Sequence, residues 1–245
     1  MKKLKQPYRL RSAECDQNNQ MRLRSLFNLF QDGADLHAEK FGFGYSFCME
    51  REMTWVGTGY HLKINRLPRR DENFVLQTWH AGSSAMTARR DFCLQTPEKE
   101  PLVLAYSNWA LIDLKKKRPV LIQKYLGDET RLNKRAILAD FKKITLPDMP
   151  QEGVLLQVRQ DDIDINQHVN NAVYASWLLE AFDTEFLNTH TLKELMIQFK
   201  SSALRENKVA IFTKIEDNQT LHLIATPDKS VEFARISAVW TANEE

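Results

Sequence analysis

Glycine is scarce in this chain. It supplies 8 of 245 residues, so a glycine-rich loop that cradles phosphate is not expected. GFGYSF at 42–47 comes nearest to a dinucleotide-binding fingerprint and lacks its third glycine. Cysteine is sparse as well. Cys15, Cys48 and Cys93 are odd in number and far apart, which suggests neither a disulfide framework nor a zinc site and fits a reducing cytoplasm. Cys48 and Cys93 have apolar neighbours and read as packing residues. Long apolar runs are missing. PLVLAY at 101–106 and NWALI at 108–112 fall far short of the ~20 residues a membrane-spanning helix needs. The first residues, MKKLKQPYRLRSAE, are basic with no apolar stretch behind them, so no secretory signal is expected. Neither sign of charge dominates: 34 basic and 32 acidic residues leave a formal +2, which gives no nucleic-acid footprint. GxSxG and HExxH are absent, and AGSSA at 81–85 resembles the first only weakly. No metal set and no cofactor are implied.

What is present has a globular composition, 43% hydrophobic and 27% charged, and its pattern occurs twice. In the first half, Leu23, Leu26, Phe27, Phe30 and Ala34 fall at helical spacing and predict a helix over 21–40, ended by FGFG at 41–44. Alternation then predicts strands through Tyr60–Ile64, Phe74–Thr78, Phe92–Leu94 and Val103–Leu111. In the second half a strand at Leu155–Arg159 precedes a helix over 171–187, with Tyr174, Trp177, Leu178, Ala181 and Phe182 on one face. Strands through Leu195–Phe199, Val209–Thr213, Leu221–Ala225 and Val231–Trp240 follow. Residues 120–141 show no strand pattern and are compatible with a connecting helix. KKITLPDMPQEG at 142–153, with two prolines, reads as a linker.

The two halves match without gaps. Glu14, Asp16, Asn18, Gln20 and Met21 recur as Asp162, Asp164, Asn166, His168 and Val169, a constant offset of 148 residues. The same offset sets Leu26 on Tyr174, Leu29 on Trp177 and Asp32 on Glu180. A helix followed by antiparallel strands suggests a sheet curled around that helix, and two copies in one chain offer a way to join exposed edges.

DDIDINQHVNNAVY at 161–174 is the densest cluster of functional groups. In an extended segment Asp164, Asn166 and His168 share a side, because extended side chains repeat every two residues. A carboxylate, an amide and an imidazole at a helix start suit acid–base work, and the helix N–H groups suit an oxyanion. Asn170 and Asn171 read as helix caps. Asp161 and Asp162 read as solvated. The contrast between the copies is informative: the first has Gln20 where the second has His168.

DIDINQHVNNAVYASWLLEAF at 162–182 strongly resembles the signature segment of the acyl-acyl-carrier-protein (acyl-ACP) thioesterases, the plant fatty-acid-release enzymes and their bacterial relatives. The likeness covers nearly the whole chain. EMTWVGTGYHLKINRLPRRDENFVLQTWHAG, MTARRDFCL and SNWALIDLKKKRP resemble first-half motifs of the same family. HVNNxxY alone is less specific, since it also occurs in single-hotdog acyl-CoA thioesterases.

The resemblance implies an α+β double hotdog, two tandem antiparallel sheets each wrapped around a long central helix. It assigns residues 1–141 to an acyl-binding hotdog, 142–153 to the linker and 154–245 to a catalytic hotdog. It implies hydrolysis of fatty acyl-ACP, with ACP and its phosphopantetheine arm as partner and substrate; the cysteines point to the cytoplasm, and monomer and homodimer both stay open. An acyl-CoA hydrolase and a non-catalytic acyl-binding protein stay open beside it. The family's catalytic Asp-x-Asn-x-His falls on Asp164, Asn166 and His168. Asp164 is then base, or nucleophile through an anhydride; Asn166 orients water or carbonyl; His168 supplies a proton; and amides at Val169–Asn171 hold the oxyanion.

FKSSALREN at 199–207 departs from the plant pattern. Ser202 and Ala203 stand where the family has Glu and Cys, which speaks against a cysteine–histidine mechanism and leaves Ser202 to support water. Leu26, Phe30, Met53, Trp55 and Trp79 are the expected tunnel lining in the first hotdog. Lys115, Lys116, Lys117 and Arg118 are expected to dock acidic ACP, with Arg66, Arg69, Arg70, Arg89 and Arg90 as further candidates.

Overall fold

Leu23, Leu26, Phe27, Phe30 and Ala34 form the buried face of α1 (Leu23–Lys40), an 18-residue helix. It ends where Gly42 takes the left-handed φ of 72° and the Gly42 and Phe43 amides bond back to Glu39 and Ala38. A short helix that the sequence pattern did not disclose, α2 (Tyr45–Glu50), follows. This computed structural model describes residues 2–127 and 130–243. It divides into two units, Met1–Asp140 and Phe141–Glu245.

In the first unit the strands are β1 (Leu4–Arg9), β2 (Met53–Ile64), β3 (Asn73–Ser83), β4 (Ala88–Gln95), β5 (Pro101–Asp113) and β6 (Arg118–Pro119). They pair antiparallel in the order β1-β3-β4-β5-β2, with β6 on β5. Helix α1 lies across one face. Phe30 stacks on Phe92 of β4 at 4.6 Å between ring centroids, and Phe27 meets Tyr60 of β2 at 5.0 Å. Gly33 permits the close approach: a Cβ there would stand 2.5 Å from Leu76 Cδ2 of β3. This is the hotdog arrangement, a sheet curled on its helix.

No α-helix forms in the described part of 120–141. A 3-10 turn at Ile122–Lys124 leads to a segment, 130–140, whose first residue, Thr130, bonds His80 on the α1 side and whose later part, from Lys134, is strapped to the sheet face opposite α1. Trp79 Nε1 donates to the Lys134 carbonyl at 2.7 Å. Arg89 donates to the Ile137 and Ala139 carbonyls at 2.6 and 2.8 Å, and Asp91 accepts the Ala136 N–H at 2.5 Å.

The second unit repeats the plan. Its strands are β7 (Val154–Leu156), β8 (His190–Phe199), β9 (Val209–Glu216), β10 (Gln219–Ala225) and β11 (Glu232–Ala242). Their order, β7-β9-β10-β11-β8, is that of the first unit, and all pairs are antiparallel. The helix expected over 171–187 is broken. It comprises α3 (Asn171–Trp177), a 3-10 turn at Leu179–Ala181 and α4 (Thr184–Thr189). Phe182 is extended, and the Asp183 side chain accepts the Phe186 N–H at 2.8 Å, so a new helix starts there. Phe182 thereby reaches both Trp240, at 5.1 Å, and the buried His222, at 5.6 Å. Residues 142–153 do not hang free, since Ile144 bonds Gln198 and Arg235, and Lys229 bonds the Met149 and Pro150 carbonyls. Among the described residues no helix is long and apolar enough to cross a membrane.

Candidate active site

The segment that carries Asp164, Asn166 and His168 is a tight turn rather than an extended run. Ile163 and Val169 bridge its ends, and Asp164 N–H donates to the His168 carbonyl at 2.8 Å. Gln167 takes the left-handed φ of 62°. Asp164 Oδ1 accepts the Asn166 N–H at 2.8 Å and the His168 N–H at 3.4 Å. The carboxylate therefore joins the three residues through backbone. No hydrogen bond links their side chains to one another among the described residues.

The first unit contains the same turn at the same offset. Cys15 and Met21 bridge it, and Asp16 Oδ1 accepts the Asn18 and Gln20 amides at 2.8 and 3.0 Å. Asn19 has φ 57° where Gln167 has 62°. The 3-10 turns ahead also match. Glu14 accepts the Arg11 N–H at 3.0 Å, and Asp162 accepts the Arg159 N–H at 2.9 Å. Asp162 is thus 4% exposed and structural, not solvated as expected. Asp16 and Asp164 build one turn twice, and the group that distinguishes the second copy is the half-buried His168 imidazole in place of Gln20.

Asn170 caps α3, its Oδ1 accepting the Ala172 N–H at 2.8 Å. Two of the three amides expected to hold an oxyanion are engaged: Val169 N–H donates to the Ala203 carbonyl and Asn170 N–H to the Asp162 carbonyl, each at 2.8 Å. Only Asn171 of the three begins the helix itself.

The Val169–Ala203 bond brings Ser202 and Ala203 beside the turn. A second contact holds them there: Ala203 N–H donates to the Tyr174 hydroxyl at 3.1 Å. Sequence reasoning read Tyr174 only as part of an apolar face. Its ring packs between Trp177 and Phe199, at 5.1 and 5.5 Å, and burial pushes its phenol up to about 12. Ser202 is exposed and Ala203 buried.

The expected tunnel residues separate. A cavity of about 120 Å³ opens in the first unit, and Trp55 lines it with Phe41, Phe43 and Trp109. Leu26 and Phe30 are fully buried in the α1 packing, and Met53 packs with Cys48, Leu111 and Ile122. Trp79 faces away from α1, beneath the 130–140 strap. The pleat explains the split: Trp79 pairs with Asp91 on one face, while His80 pairs with Arg90 on the other.

The same pleat corrects the docking candidates Arg89 and Arg90. Arg89 is 9% exposed, salt-bridged to Asp91 at 2.7 Å and laid over the Tyr106 ring. Arg90 lines the cavity, donating to His37 Nδ1 at 2.9 Å. Arg89 is buried and Arg90 only partly exposed, each engaged with partners inside the first unit. Arg66 pairs with Glu72, and Arg70 with Asp71. Lys115, Lys116 and Lys117 form the exposed turn between β5 and β6, and Arg118 begins β6. Lys115 contacts Glu52, and Lys116 lies 3.7 Å from Asp113. No set of three His, Cys, Asp or Glu among the described residues could hold a metal ion.

Comparison with known proteins gives a consistent picture. The acyl-ACP thioesterase N-terminal domain matches residues 1–129, and the acyl-ACP thioesterase C-terminal domain matches 149–242. A chloroplastic palmitoyl-acyl carrier protein thioesterase of Gossypium hirsutum is 27% identical over 230 residues, covering 88% of this chain and 55% of that protein. The chain spans about half the length of the first curated plant relatives it matches. Among solved structures, an acyl-ACP thioesterase from Bacteroides thetaiotaomicron superposes with a TM-score of 0.90 at 22% identity, covering 98% of both chains. The 12:0-ACP thioesterase from Umbellularia californica superposes with a TM-score of 0.87 at 20% identity, covering 99% of this chain and 98% of that one. With both domain models matched in order along a duplicated hotdog, the chain belongs to the acyl-ACP thioesterase family.

Proposed function

We propose that this chain hydrolyses fatty acyl-ACP, adding water across the thioester to give a free fatty acid and the ACP thiol. One observation carries the reading: two Asx-type turns with matching hydrogen bonds differ at the chemically decisive position, and the copy with the imidazole is the one bonded to Ala203, next to Ser202. A thioester carbonyl is already activated and its thiolate leaves readily, so the protein must position water, hold developing negative charge and supply a proton. Asp164 acts through Oδ2, since Oδ1 is committed to the turn, and serves as base or nucleophile. Asn166 orients water or carbonyl. His168 protonates the departing sulfur. The Asn171 N–H at the positive end of α3 faces developing charge, and Ser202 supports water where plant relatives have an acid. The acyl chain occupies the first unit's cavity, along Trp55. The cytoplasm is the compartment this reading assigns, in keeping with three free cysteines.

Thiol release measured with palmitoyl-ACP and palmitoyl-CoA tests the reading. Faster release from the ACP substrate is expected. Faster release from CoA moves the chain to acyl-CoA hydrolysis, and no release from either leaves it an acyl-binding protein.

The turn at Lys115–Lys117 with Arg118 is the proposed ACP contact. Their acidic neighbours Glu52 and Asp113 restrain two of these lysines without neutralising the cluster. Reversing the charge at Lys115, Lys116 and Lys117 together is expected to raise KM for acyl-ACP several-fold, more at low salt, and to leave small acyl thioesters unchanged. Equal effects on both substrates would remove this contact.

A further inference from the structure

Arg90 is a partly exposed cation on the wall of a cavity that also carries four aromatic side chains, Phe41, Phe43, Trp55 and Trp109. Both protons of its Nη1 are accounted for, by His37 Nδ1 at 2.9 Å and by Thr78 Oγ1 at 3.4 Å. Among the described residues Nε and Nη2 have no protein hydrogen bond and no carboxylate pairs with the guanidinium; these donors are not buried unpaired atoms but stay open to solvent, Arg90 being partly exposed. Asp35 also lines the cavity, but acts on Arg90 only from beyond contact range. Burial lowers the Arg90 guanidinium to about 10, so it stays charged at neutral pH. Burial first, and then the Arg90 charge, bring His37 down to about 4. The ring is therefore neutral. With Nδ1 accepting from Arg90, its proton sits on Nε2, which is buried without a hydrogen-bond partner.

The polar groups here offer donors to a chamber whose other walls include Trp55, Trp109, Phe41 and Phe43. A plain hydrocarbon pressed against them strips water from a charged group and returns nothing, which is costly. Water can serve these donors, with Gln31, Asp35 and Thr130 on the same walls as further partners, so the cost arises when a chain displaces that water. A hydrocarbon stem ending on an acceptor oxygen matches both parts, its carbons against the aromatic rings and its oxygen on the guanidinium.

We infer that this cavity selects acyl chains bearing an acceptor oxygen, a hydroxyl or keto group, which Arg90 binds. The inference rests on the acyl-thioesterase reading and narrows its substrate class.

The test compares kcat/KM for a saturated acyl-ACP with that for acyl-ACPs of equal length carrying a hydroxyl or keto group near the thioester, at mid-chain or at the far end. A charge-assisted hydrogen bond predicts a preference of about 10- to 100-fold for at least one oxygenated chain. In Arg90→Met the ratio of oxygenated to saturated kcat/KM should fall toward one, and Arg90→Lys should restore part of it. Equal kcat/KM across the wild-type panel, or a preference that survives Arg90→Met, overturns the inference. Titration calorimetry of the wild-type protein with methyl esters of the same acids, which carry no competing carboxylate, needs neither turnover nor a folded variant. Tighter binding of an oxygenated ester supports the inference even if no thioester is cleaved, whereas hydrolysis of saturated chains with no oxygen preference in either assay sinks the inference alone.

Discussion

His168→Gln is expected to lower kcat/KM for acyl-ACP by about 10²- to 10⁴-fold, the range for loss of a proton-transfer group, with the folded state undisturbed. The second half of that expectation comes from the repeat. Gln20 already occupies the equivalent position, in a turn with the same bridge, the same Asx bonds and the same left-handed residue. Glutamine is therefore a tested occupant of this backbone, and a loss of activity cannot be put down to a collapsed turn. Asp164→Ala needs a different control, because its carboxylate does two jobs. Removing Oδ1 strips the acceptor from the Asn166 and His168 amides, at a cost of about 1–2 kcal/mol. Asp16→Ala removes the matching bonds from Asn18 and Gln20 and should cost a similar amount with activity retained. Whatever activity Asp164→Ala loses beyond Asp16→Ala measures its chemical role. Near-normal turnover in both His168→Gln and Asp164→Ala would discard the site.

The duplicated turn was legible because it depends on local chemistry at fixed spacing. An Asp whose side chain bonds the amides two and four residues on leaves an ungapped signature, as do alternating strand residues such as Phe74, Leu76 and Thr78. The break in the second helix was not legible. Leu178, Ala181 and Phe182 keep helical spacing, yet Asp183 restarts the helix with its own cap, and Phe182 gains contact with Trp240 by leaving it. The 130–140 strap was hidden for another reason. Its bonds run from Trp79 and Arg89 to backbone carbonyls, which any residue supplies. The roles of Arg89 and Arg90 were within reach, since strand alternation sets Arg90 in phase with Phe92, which packs on α1, and Arg89 in phase with Asp91. The difference between Trp55 on a cavity wall and Phe30 in solid packing lies in a void, and no residue type encodes a void.

The strap supplies the other large effect. Asp91 is fully buried, and it receives the Arg89 guanidinium at 2.7 Å and the Ala136 amide at 2.5 Å. Burial pushes its carboxyl up, against the pull of both partners, so the pair is costly to bury and depends on its bonds being complete. Asp91→Ala leaves the Arg89 charge, 10% exposed at its side chain, with only the exposed Asp140 carboxylate at 4.0 Å. A loss of about 3–5 kcal/mol in unfolding free energy is expected, typical of a broken buried ion pair. Arg89→Met combined with Asp91→Leu removes both charges and should cost less than Asp91→Ala alone, because no buried charge is stranded. Denaturant titration of the three proteins measures this ordering. Limited proteolysis reads the strap directly: with Asp91 gone, cleavage within 130–140 should accelerate before the rest of the first unit opens. If Asp91→Ala unfolds within about 0.5 kcal/mol of the unaltered chain, or 130–140 stays as resistant as before, the strap is held by Trp79 and packing, and the RRD motif at 89–91 owes its arginine–aspartate pair to something other than stability.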